Sequence, residues 1–435
     1  MGQSEDGIII GAGISGLGMV MQLKRLLGHD YFTIYEKSDN IGGTWWHNHY
    51  PGCVCDIPSH FYSSSFALKH DWTTMFPGRD ELHRCKYPNL QAPVVVSAIG
   101  TLDRPHIPNI EGSESFQGEV FHSARWNDSF NPERKKIVVL GNGASATQFV
   151  PELVKDVGPQ RAATQFTSLS RSTQGNPKYS KRLKLVLKHV PFASKIRDAT
   201  FSFIESDATP QYHEILKPRY EPECKRRVNT ASYMACLHSP RMLLTDNSVV
   251  KVGLDYIETK SGDRHVADAI IYATGFQTQK WLSPMQIKGI DGKNLHQVWD
   301  AASGAEAYKG TVVSGFPNFF ILYGPNAATG QHSVIFHSEC QNNYSCCLFR
   351  PVLKGKADSI MVKPEAQQRD LSWVHDKLKH LVFNSGCQSW ILFQQFVDFA
   401  PFPLRDVNGL LSQVFTTGIV VFETINCISN PMVTI

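Results

Sequence analysis

Two glycine-rich turns carry the residue types and spacing from which chemistry can be predicted. The first is Gly11-Ala-Gly-Ile-Ser-Gly16 and the second is Gly141-Asn-Gly-Ala-Ser-Ala146. Each follows a short apolar run, and the first also precedes residues with helical apolar spacing, which is the context of a dinucleotide site. Glycine permits the tight turn and lets backbone approach a pyrophosphate, which the helix N-terminus attracts. The spacing therefore predicts two dinucleotide sites.

The residues that follow each turn indicate which dinucleotides bind. Glu36 ends the next predicted strand, where a carboxylate accepts hydrogen bonds from ribose hydroxyls, as at FAD or NAD sites. Arg171 ends the corresponding strand after the second turn, where a guanidinium can pair with the 2′-phosphate of NADP. The contacts predicted at the first site are Gly11, Gly13, Gly16 and Glu36. Those predicted at the second are Asn142, Gly143, Ala144, Ser145, Ala146, Thr147, Gln148, Arg171 and Ser172.

Parallel strands are needed to position these turns. Apolar runs predict strands at residues 7–10, 31–35, 94–100, 136–140, about 163–170 and 268–275, and a helix over 17–27. Alternating strands and helices predict an α/β fold, here two Rossmann-like doubly wound nucleotide-binding domains with a small helical insert. The predicted divisions are residues 1–100 (first domain), 101–126 (linker), 127–276 (second domain, with its insert at 174–222), 277–390 (return to the first domain) and 391–435 (atypical tail).

Composition restricts the class of protein. A formal net charge of +4 over 435 residues predicts neither a nucleic-acid-binding nor a membrane-binding surface. The ten cysteines include no CxxC pair and no metal-ligand spacing, which argues against a disulfide reductase and a zinc site. The first predicted strand leaves no room for a signal peptide, and no apolar run reaches the roughly 20 residues of a membrane span. A cytoplasmic protein is expected.

The segment between the two turns points to one enzyme family. Phe116-Gln-Gly-Glu-Val-Phe-His-Ser-Ala-Arg-Trp126 has the form F-x-G-x-x-x-H-x-x-x-W. It resembles the fingerprint of Baeyer–Villiger monooxygenases, whose flavin-monooxygenase cousins usually carry Tyr or Phe in place of Trp126. Gly42-Gly-Thr-Trp-Trp-His-Asn-His-Tyr-Pro-Gly52, followed by Cys55-Asp-Ile-Pro-Ser59, is similar to the flavin segment of that family. Within that family, this chain most resembles the fungal members that modify polyketides.

The resemblance implies roles for individual residues. Thr44, Trp45, Trp46, His47, Asp56 and Tyr62 would contact FAD, and Val54, Cys55 and Asp56 would approach the nicotinamide. Trp390, in Cys387-Gln-Ser-Trp390, would lie against NADPH, and Asn326 and His332 could touch the flavin end. Arg226, in Tyr220-Glu-Pro-Glu-Cys-Lys-Arg-Arg-Val228, would be catalytic together with Asp56, and His122 and Trp126 would shape a hinge.

A catalytic arginine has a clear physical purpose. A guanidinium is charged at every relevant pH and can stabilise the negative charge that develops when oxygen attacks a ketone carbonyl. Arg227 takes this role if the register is off by one, and a solvated basic run over Lys225–Arg227 is the alternative. The implied function is FAD- and NADPH-dependent insertion of one atom of O2 beside a ketone, giving an ester or lactone. An N- or S-oxidising flavin monooxygenase is the first rival, and a truncated, inactive paralogue is the second.

The chain departs from the family pattern in three places. Only residues 76–93 stand where the family has a further helix and several strands, and a single crossover already takes a dozen residues. The insert between Gln174 and Tyr220 is short. Residues 391–435 lack the expected segment ending in Trp-Pro. These departures predict internal and C-terminal losses, as in an incompletely spliced, mis-predicted or decayed member of the family.

Overall fold

The computed structural model describes residues 7–69, 71–79, 94–155, 166–169, 191–221, 225, 228, 231–278, 280–325, 327, 333–378 and 425–428. The described strands are β1 (Ile8–Ile10), β2 (Thr33–Tyr35), β3 (Val95–Ser97), β4 (Glu119–His122), β5 (Ile137–Leu140), β6 (Phe166–Leu169), β7 (Met242–Thr245), β8 (Val249–Val252), β9 (Tyr256–Thr259), β10 (Arg264–Val266), β11 (Ala269–Tyr272), β12 (Phe319–Ile321), β13 (Ser359–Val362) and β14 (Ile425–Ile428). The described α-helices are α1 (Ile14–Gln22), α2 (Thr44–His47), α3 (Ala144–Lys155), α4 (Pro191–Asp207), α5 (His213–Leu216), α6 (Ala231–Cys236), α7 (Leu295–Ala301), α8 (Val334–Leu353) and α9 (Pro364–Leu378).

Two parallel sheets form the framework. The first sheet has the strand order β12-β3-β1-β2, and the second has the order β4-β11-β5-β6-β7. Strands β8, β9 and β10 make a separate antiparallel sheet, and β13 pairs with β14. The predicted α/β class with two Rossmann-like sheets is confirmed.

Side chains of the first sheet alternate between two apolar layers. Ile9, Val96 and Phe320 face the layer that contains α1 and α8. Their chain neighbours Val95 and Phe319 face the opposite layer, which contains Trp299 of α7. Because both faces are covered, β1 and β12 are apolar at every position, and β3 is apolar at every position except Ser97, as in other buried parallel sheets.

The second sheet is covered in the same way. On one face, Val139 and Ile271 pack against Phe149 of α3 and Ile204 of α4. On the other face, residues Val138, Leu140, Ile270 and Tyr272 pack against the β8–β10 sheet. Both glycine turns therefore lie at the carboxyl ends of strands in fully covered sheets, where doubly wound folds bind ligands.

Several predicted bounds differ from the structure. The helix expected over 17–27 begins at Ile14, directly after the first turn, and its last residues, Leu23–Leu27, form a π-helical turn. Part of the predicted linker is strand β4, an edge of the second sheet, because Glu119–His122 pair with β11. Within the predicted atypical tail, β14 pairs with β13, a strand that the sequence did not indicate.

Candidate functional site

Two of the three glycines in the first turn, Gly11 and Gly16, leave no room for a side chain. Gly11 has φ of 102°, and an ideal Cβ there would lie 2.8 Å from the Ala98 carbonyl oxygen. A Cβ on Gly16 would collide with the Gly11 carbonyl, so the third glycine lets α1 pack onto the turn. Gly13 directly precedes α1 and faces Gly43 closely, since a Cβ on Gly43 would come within 3.0 Å of the Gly13 Cα. The turn thus offers bare backbone at a helix N-terminus, which fits a pyrophosphate.

The carboxylate of Glu36 is fixed beside this turn. Its Oε2 accepts a 2.7 Å hydrogen bond from the Ala12 backbone N–H, and its Oε1 accepts a 3.0 Å bond from the Ser38 backbone N–H. A carboxylate has about four acceptor positions, so two backbone donors leave capacity for ribose hydroxyls. The carboxylate at the end of β2 therefore lies beside the turn with acceptor positions left over, as the predicted ribose contact needs.

The segment after Gly42 lies against the same turn. The Gly42 N–H donates to the Ala12 carbonyl at 2.9 Å, and Gly43, with φ of 55°, precedes α2. His47 Nε2 lies 2.8 Å from the Ser38 hydroxyl. Burial, reinforced by the Arg125 guanidinium, lowers the pKa of His47, so its imidazole is neutral at pH 7. Thr44 is exposed at the start of α2.

The two adjacent tryptophans have separate surroundings. Trp45 Nε1 donates to the Tyr62 hydroxyl at 3.2 Å, and the two rings meet edge to face at 5.9 Å. The Arg79 Nε–H donates to the Trp45 carbonyl at 3.1 Å, and its guanidinium lies 5.8 Å from the Trp46 ring. Burial raises the pKa of Tyr62, with the nearby Cys55 and Asp56 acting in the same direction. Tyr62 therefore stays a protonated phenol.

The second turn has the same arrangement as the first, except that Ala146 stands in place of the third glycine. Gly141 has φ of 112°, and a Cβ there would collide with the Ala273 carbonyl. Gly143 borders open space directly before α3, while Asn142 and Ala146 are buried. Thr147 Oγ1 donates to the Gly143 carbonyl at 3.1 Å, and Ser145 lies beside the Tyr50 hydroxyl. The N-terminus of α3, which bare backbone at Gly143 precedes, again fits a pyrophosphate.

Side chains from the fingerprint segment join the two sheets. The Trp126 ring lies 5.1 Å from Phe121, 5.2 Å from Phe149 and 6.5 Å from Tyr50. His49 approaches the second half, with Nε2 3.3 Å from the Trp126 carbonyl and 3.4 Å from Asp128. We call Tyr50, Phe121, Trp126, Phe130 and Phe149 the aromatic seam. Trp126 therefore packs where the two sheets meet, and its hinge role stays a prediction.

The second fingerprint residue, His122, is buried at the end of β4. Its Nδ1 accepts a 3.0 Å hydrogen bond from the Ala124 backbone N–H, and its ring lies 6.0 Å from Phe276. Burial lowers the pKa of His122 to about 4, an effect that the backbone of Gly275 partly offsets and Arg125 reinforces. A neutral, enclosed imidazole at this place suits a positional role.

Gln148 is the residue whose surroundings the sequence did not reveal. It was predicted to contact NADPH, but its carboxamide bonds to Tyr50 and to the backbone of Val54 in the other half. Tyr50 and Arg79 were not among the predicted site residues. The Y-P-G motif at Tyr50 was visible in the sequence, whereas nothing near Arg79 indicated its contacts.

Other predicted residues lie outside the described part of the chain. They are Arg171, Ser172, Arg226, Arg227, Asn326, His332 and Trp390. Lys225, next to Arg226, is described, and its Nζ lies 4.8 Å from the Tyr220 ring. Burial lowers the pKa of Lys225, so at this position the basic run is not simply solvated.

Comparison with known proteins agrees with this geometry. Residues 9–76 match a family model described as an NAD(P)-binding Rossmann-like domain. A Baeyer–Villiger monooxygenase of Pseudomonas aeruginosa is 30% identical, over 88% of this chain and 84% of the relative. The chain belongs to the Baeyer–Villiger monooxygenase family. An FAD-binding monooxygenase of Aspergillus niger is 29% identical over 88% of this chain and 76% of its own length.

Solved structures of the family show the same fold. A steroid monooxygenase bound to NADP matches with a TM-score of 0.83 at 22% identity, covering 98% of this chain and 100% of that one. A closed cyclohexanone monooxygenase matches with a TM-score of 0.81 at 19% identity and the same coverage. The alignment with the Pseudomonas relative spans 461 positions, more than the 435 residues of this chain. That Baeyer–Villiger monooxygenase therefore has residues without counterpart here, and the predicted losses stay a prediction.

Among the described residues, no helix combines the length and apolar character that crossing a membrane demands.

Proposed function

We propose that this member of the Baeyer–Villiger monooxygenase family binds FAD at the first turn and NADPH at the second, and oxidises a ketone to an ester or lactone. One atom of O2 enters the product and the other leaves as water, with two electrons from NADPH and a proton from solvent. FAD, once reduced, supplies the activated oxygen. The observation that carries the proposal is the pair of helix N-termini, each preceded by a bare glycine turn, within one enzyme of this family.

The first site has the donor set that FAD needs. Backbone at Gly11, Gly13 and Gly43 accommodates the pyrophosphate, and Glu36 accepts from the ribose. The wall formed by Trp45 and Tyr62, with Thr44, Trp46 and His47, lines the flavin end. Neutral His47 and protonated Tyr62 act there as hydrogen-bonding groups without net charge.

The second site is proposed for NADPH. The backbone of residues 142–146 receives its pyrophosphate at the start of α3, and Arg171 with Ser172 binds the 2′-phosphate. Val54, Cys55 and Asp56 lie on a loop that contacts α3, and we assign them to the nicotinamide end together with Trp390. Asp56 would accept a hydrogen bond there and help to orient the nicotinamide.

Arg226 is the proposed catalytic cation. Its guanidinium stabilises the negative charge on oxygen as the carbonyl is attacked, and it remains protonated throughout. The substrate is a ketone of a secondary metabolite, a choice supported by the sequence resemblance to fungal members and by the fungal relatives found.

The test begins with the purified 435-residue chain. Yellow protein whose visible absorption bleaches with NADPH under nitrogen shows that both sites work. A ketone panel is then incubated with NADPH under ¹⁸O₂, and one labelled oxygen in an ester or lactone supports the proposal. Oxidation of an amine or thioether, with no ketone consumed, assigns the chain to heteroatom oxidation. A colourless protein that does not oxidise NADPH contradicts the proposed function.

A pair of variants tests the catalytic arginine. Arg226→Ala should bind FAD and accept hydride normally, yet form no ester, because the charge is needed only after oxygen is activated. Arg227→Ala is the matched comparison one residue along. If Arg227→Ala loses the product and Arg226→Ala keeps it, the register is shifted by one.

A further inference from the structure

The side chain of Gln148, on the helix α3 that covers the second sheet, binds a loop that belongs to the part of the molecule around the first sheet. The Gln148 Oε1 accepts a 3.0 Å hydrogen bond from the Tyr50 hydroxyl and a 3.4 Å bond from the Val54 backbone N–H. The Gln148 Nε2 donates a 3.1 Å bond to the Val54 carbonyl. A single carboxamide thus pairs with both backbone groups of Val54, as a neighbouring strand would.

The loop is shaped to accept this contact. Gly52 has φ of 74°, and a Cβ there would lie 2.8 Å from the Gln148 carbonyl oxygen, so the backbone of α3 approaches it directly. Tyr50 is buried, with its ring 6.0 Å from Phe149 and its neighbour Cys53 hydrogen-bonded back to its carbonyl at 3.1 Å. The other side of the loop is held by a 2.9 Å bond from the Cys55 N–H to the Pro77 carbonyl. The loop is therefore clamped between residues 75–79 and α3.

The chemistry of the contact requires an amide. A carboxylate could accept from Tyr50 and the Val54 N–H, but it would face the Val54 carbonyl oxygen without a proton to donate. An alanine would remove all three bonds. Glutamine supplies a donor and an acceptor from one planar group, and the two Val54 bonds then fix its orientation.

We propose that Gln148 is a positioning residue: its carboxamide sets the Tyr50–Asp56 loop on α3 and thereby fixes the distance between the two dinucleotide sites. This inference rests on the proposed function, in which Val54 to Asp56 meet the nicotinamide and the start of α3 holds its phosphates. Gln148 follows the residues that we propose border the phosphates, and its carboxamide bonds to the loop, so we assign its effect to the loop.

The test compares Gln148→Ala and Tyr50→Phe with a matched control on the same helix. Glu152→Gln, one turn farther along α3, removes an ion pair with Lys155 at 2.7 Å and keeps the packing against Gly52. For each protein, the rate of flavin reduction at saturating NADPH and the dissociation constant of NADPH are measured under nitrogen. Melting temperature and flavin content show that each variant is folded.

The positioning role predicts a loss in rate and not in affinity. Gln148→Ala loses several neutral hydrogen bonds and should slow flavin reduction at saturating NADPH about tenfold. Tyr50→Phe loses one such bond and should slow it about threefold. The NADPH dissociation constant should stay within about twofold of the parent, and Glu152→Gln should match the parent in both measurements. Weaker NADPH binding with an unchanged saturating rate would make Gln148 a cofactor ligand and overturn the proposal. Unchanged rate and affinity would overturn it as well, whether or not the melting temperature fell.

A second measurement needs no cofactor. Hydrogen–deuterium exchange of the peptide containing Val54 should accelerate in Gln148→Ala and not in Glu152→Gln, because the Val54 N–H loses its acceptor. Equal exchange in all proteins would show that Gln148 does not hold the loop. If the parent protein neither binds flavin nor oxidises NADPH, the proposed function itself fails, and the positioning role fails with it.

Discussion

The two glycine turns look alike in sequence but depend on different parts of the molecule. In the first, the carboxylate of Glu36, which we propose binds the ribose, is held by the turn itself, through the Ala12 N–H. In the second, the helix that follows the turn is tied by Gln148 and the aromatic seam to a loop of the other half. The first site is therefore complete within one sheet, and the second depends on how the halves meet.

The largest effect is expected from a substitution that disrupts the first turn. Gly11→Ala forces a side chain into a backbone at φ of 102° and towards the Ala98 carbonyl, which costs about 1–3 kcal/mol in strain before the clash is counted. The purified variant should contain no flavin, measured as the ratio of visible to ultraviolet absorbance. Gly28→Ala is the control, since Gly28 also has positive φ, 62°, but borders open space. Full flavin content in Gly11→Ala would refute the assignment of this turn.

The next largest effect is expected from a substitution that removes an aromatic ring from the aromatic seam. Trp126→Ala should lower the free energy of unfolding by about 3 kcal/mol, the lower end for an aromatic-to-alanine change, since Trp126 is only partly buried. Trp126→Phe should lose about a third of that. Chemical denaturation measures both, and FAD should remain bound because the first turn does not use Trp126. Loss of FAD together with stability would mean that the first site also depends on the seam.

A smaller effect sharpens the difference in sugar recognition. Glu36→Gln should weaken FAD binding by about tenfold to a hundredfold, as expected for losing hydrogen bonds to a charged acceptor, about 1.5–3 kcal/mol. Titration of the apoprotein with FAD gives the dissociation constant. Asp39→Asn, an exposed carboxylate three residues away, should leave it unchanged. Equal weakening in both variants would show a general charge effect instead of a specific contact.

The smallest effect concerns pH and the second sheet. Because burial lowers the pKa of His122 to about 4, the unfolded chain binds this proton more readily than the folded one between pH 6.5 and 4. The contribution of His122 is therefore complete above pH 6.5 and declines as the pH falls towards 4. His122→Asn should lose less stability than the parent between pH 7 and pH 5, measured by urea denaturation. An identical pH dependence in the two proteins would contradict a depressed pKa.

Contiguous motifs could be predicted from sequence, while contacts across the chain could not. Gly11 to Gly16 and Glu36 are separated by one helix, so the geometry of a single β–α–β unit relates them. Gln148 and Val54 are 94 residues apart, and their contact depends on how two sheets dock. The edge strand β4 was hidden for a similar reason: it pairs on one side only, with β11, which lies far along the chain.

The order of strands in the first sheet has a consequence during synthesis. Its edge strand β12 pairs with β3, yet Phe319 leaves the ribosome only after the entire second sheet has been made. At about 5–20 residues per second, the apolar edge of Val95 and Val96 waits on the order of tens of seconds for its neighbour. The second sheet, whose strands all lie between β3 and β12, can fold during that interval. During that interval the exposed apolar edge can associate with other chains. We therefore expect the yield of folded full-length enzyme to depend on chaperone supply and translation speed more strongly than the yield of a fragment that carries only the second sheet.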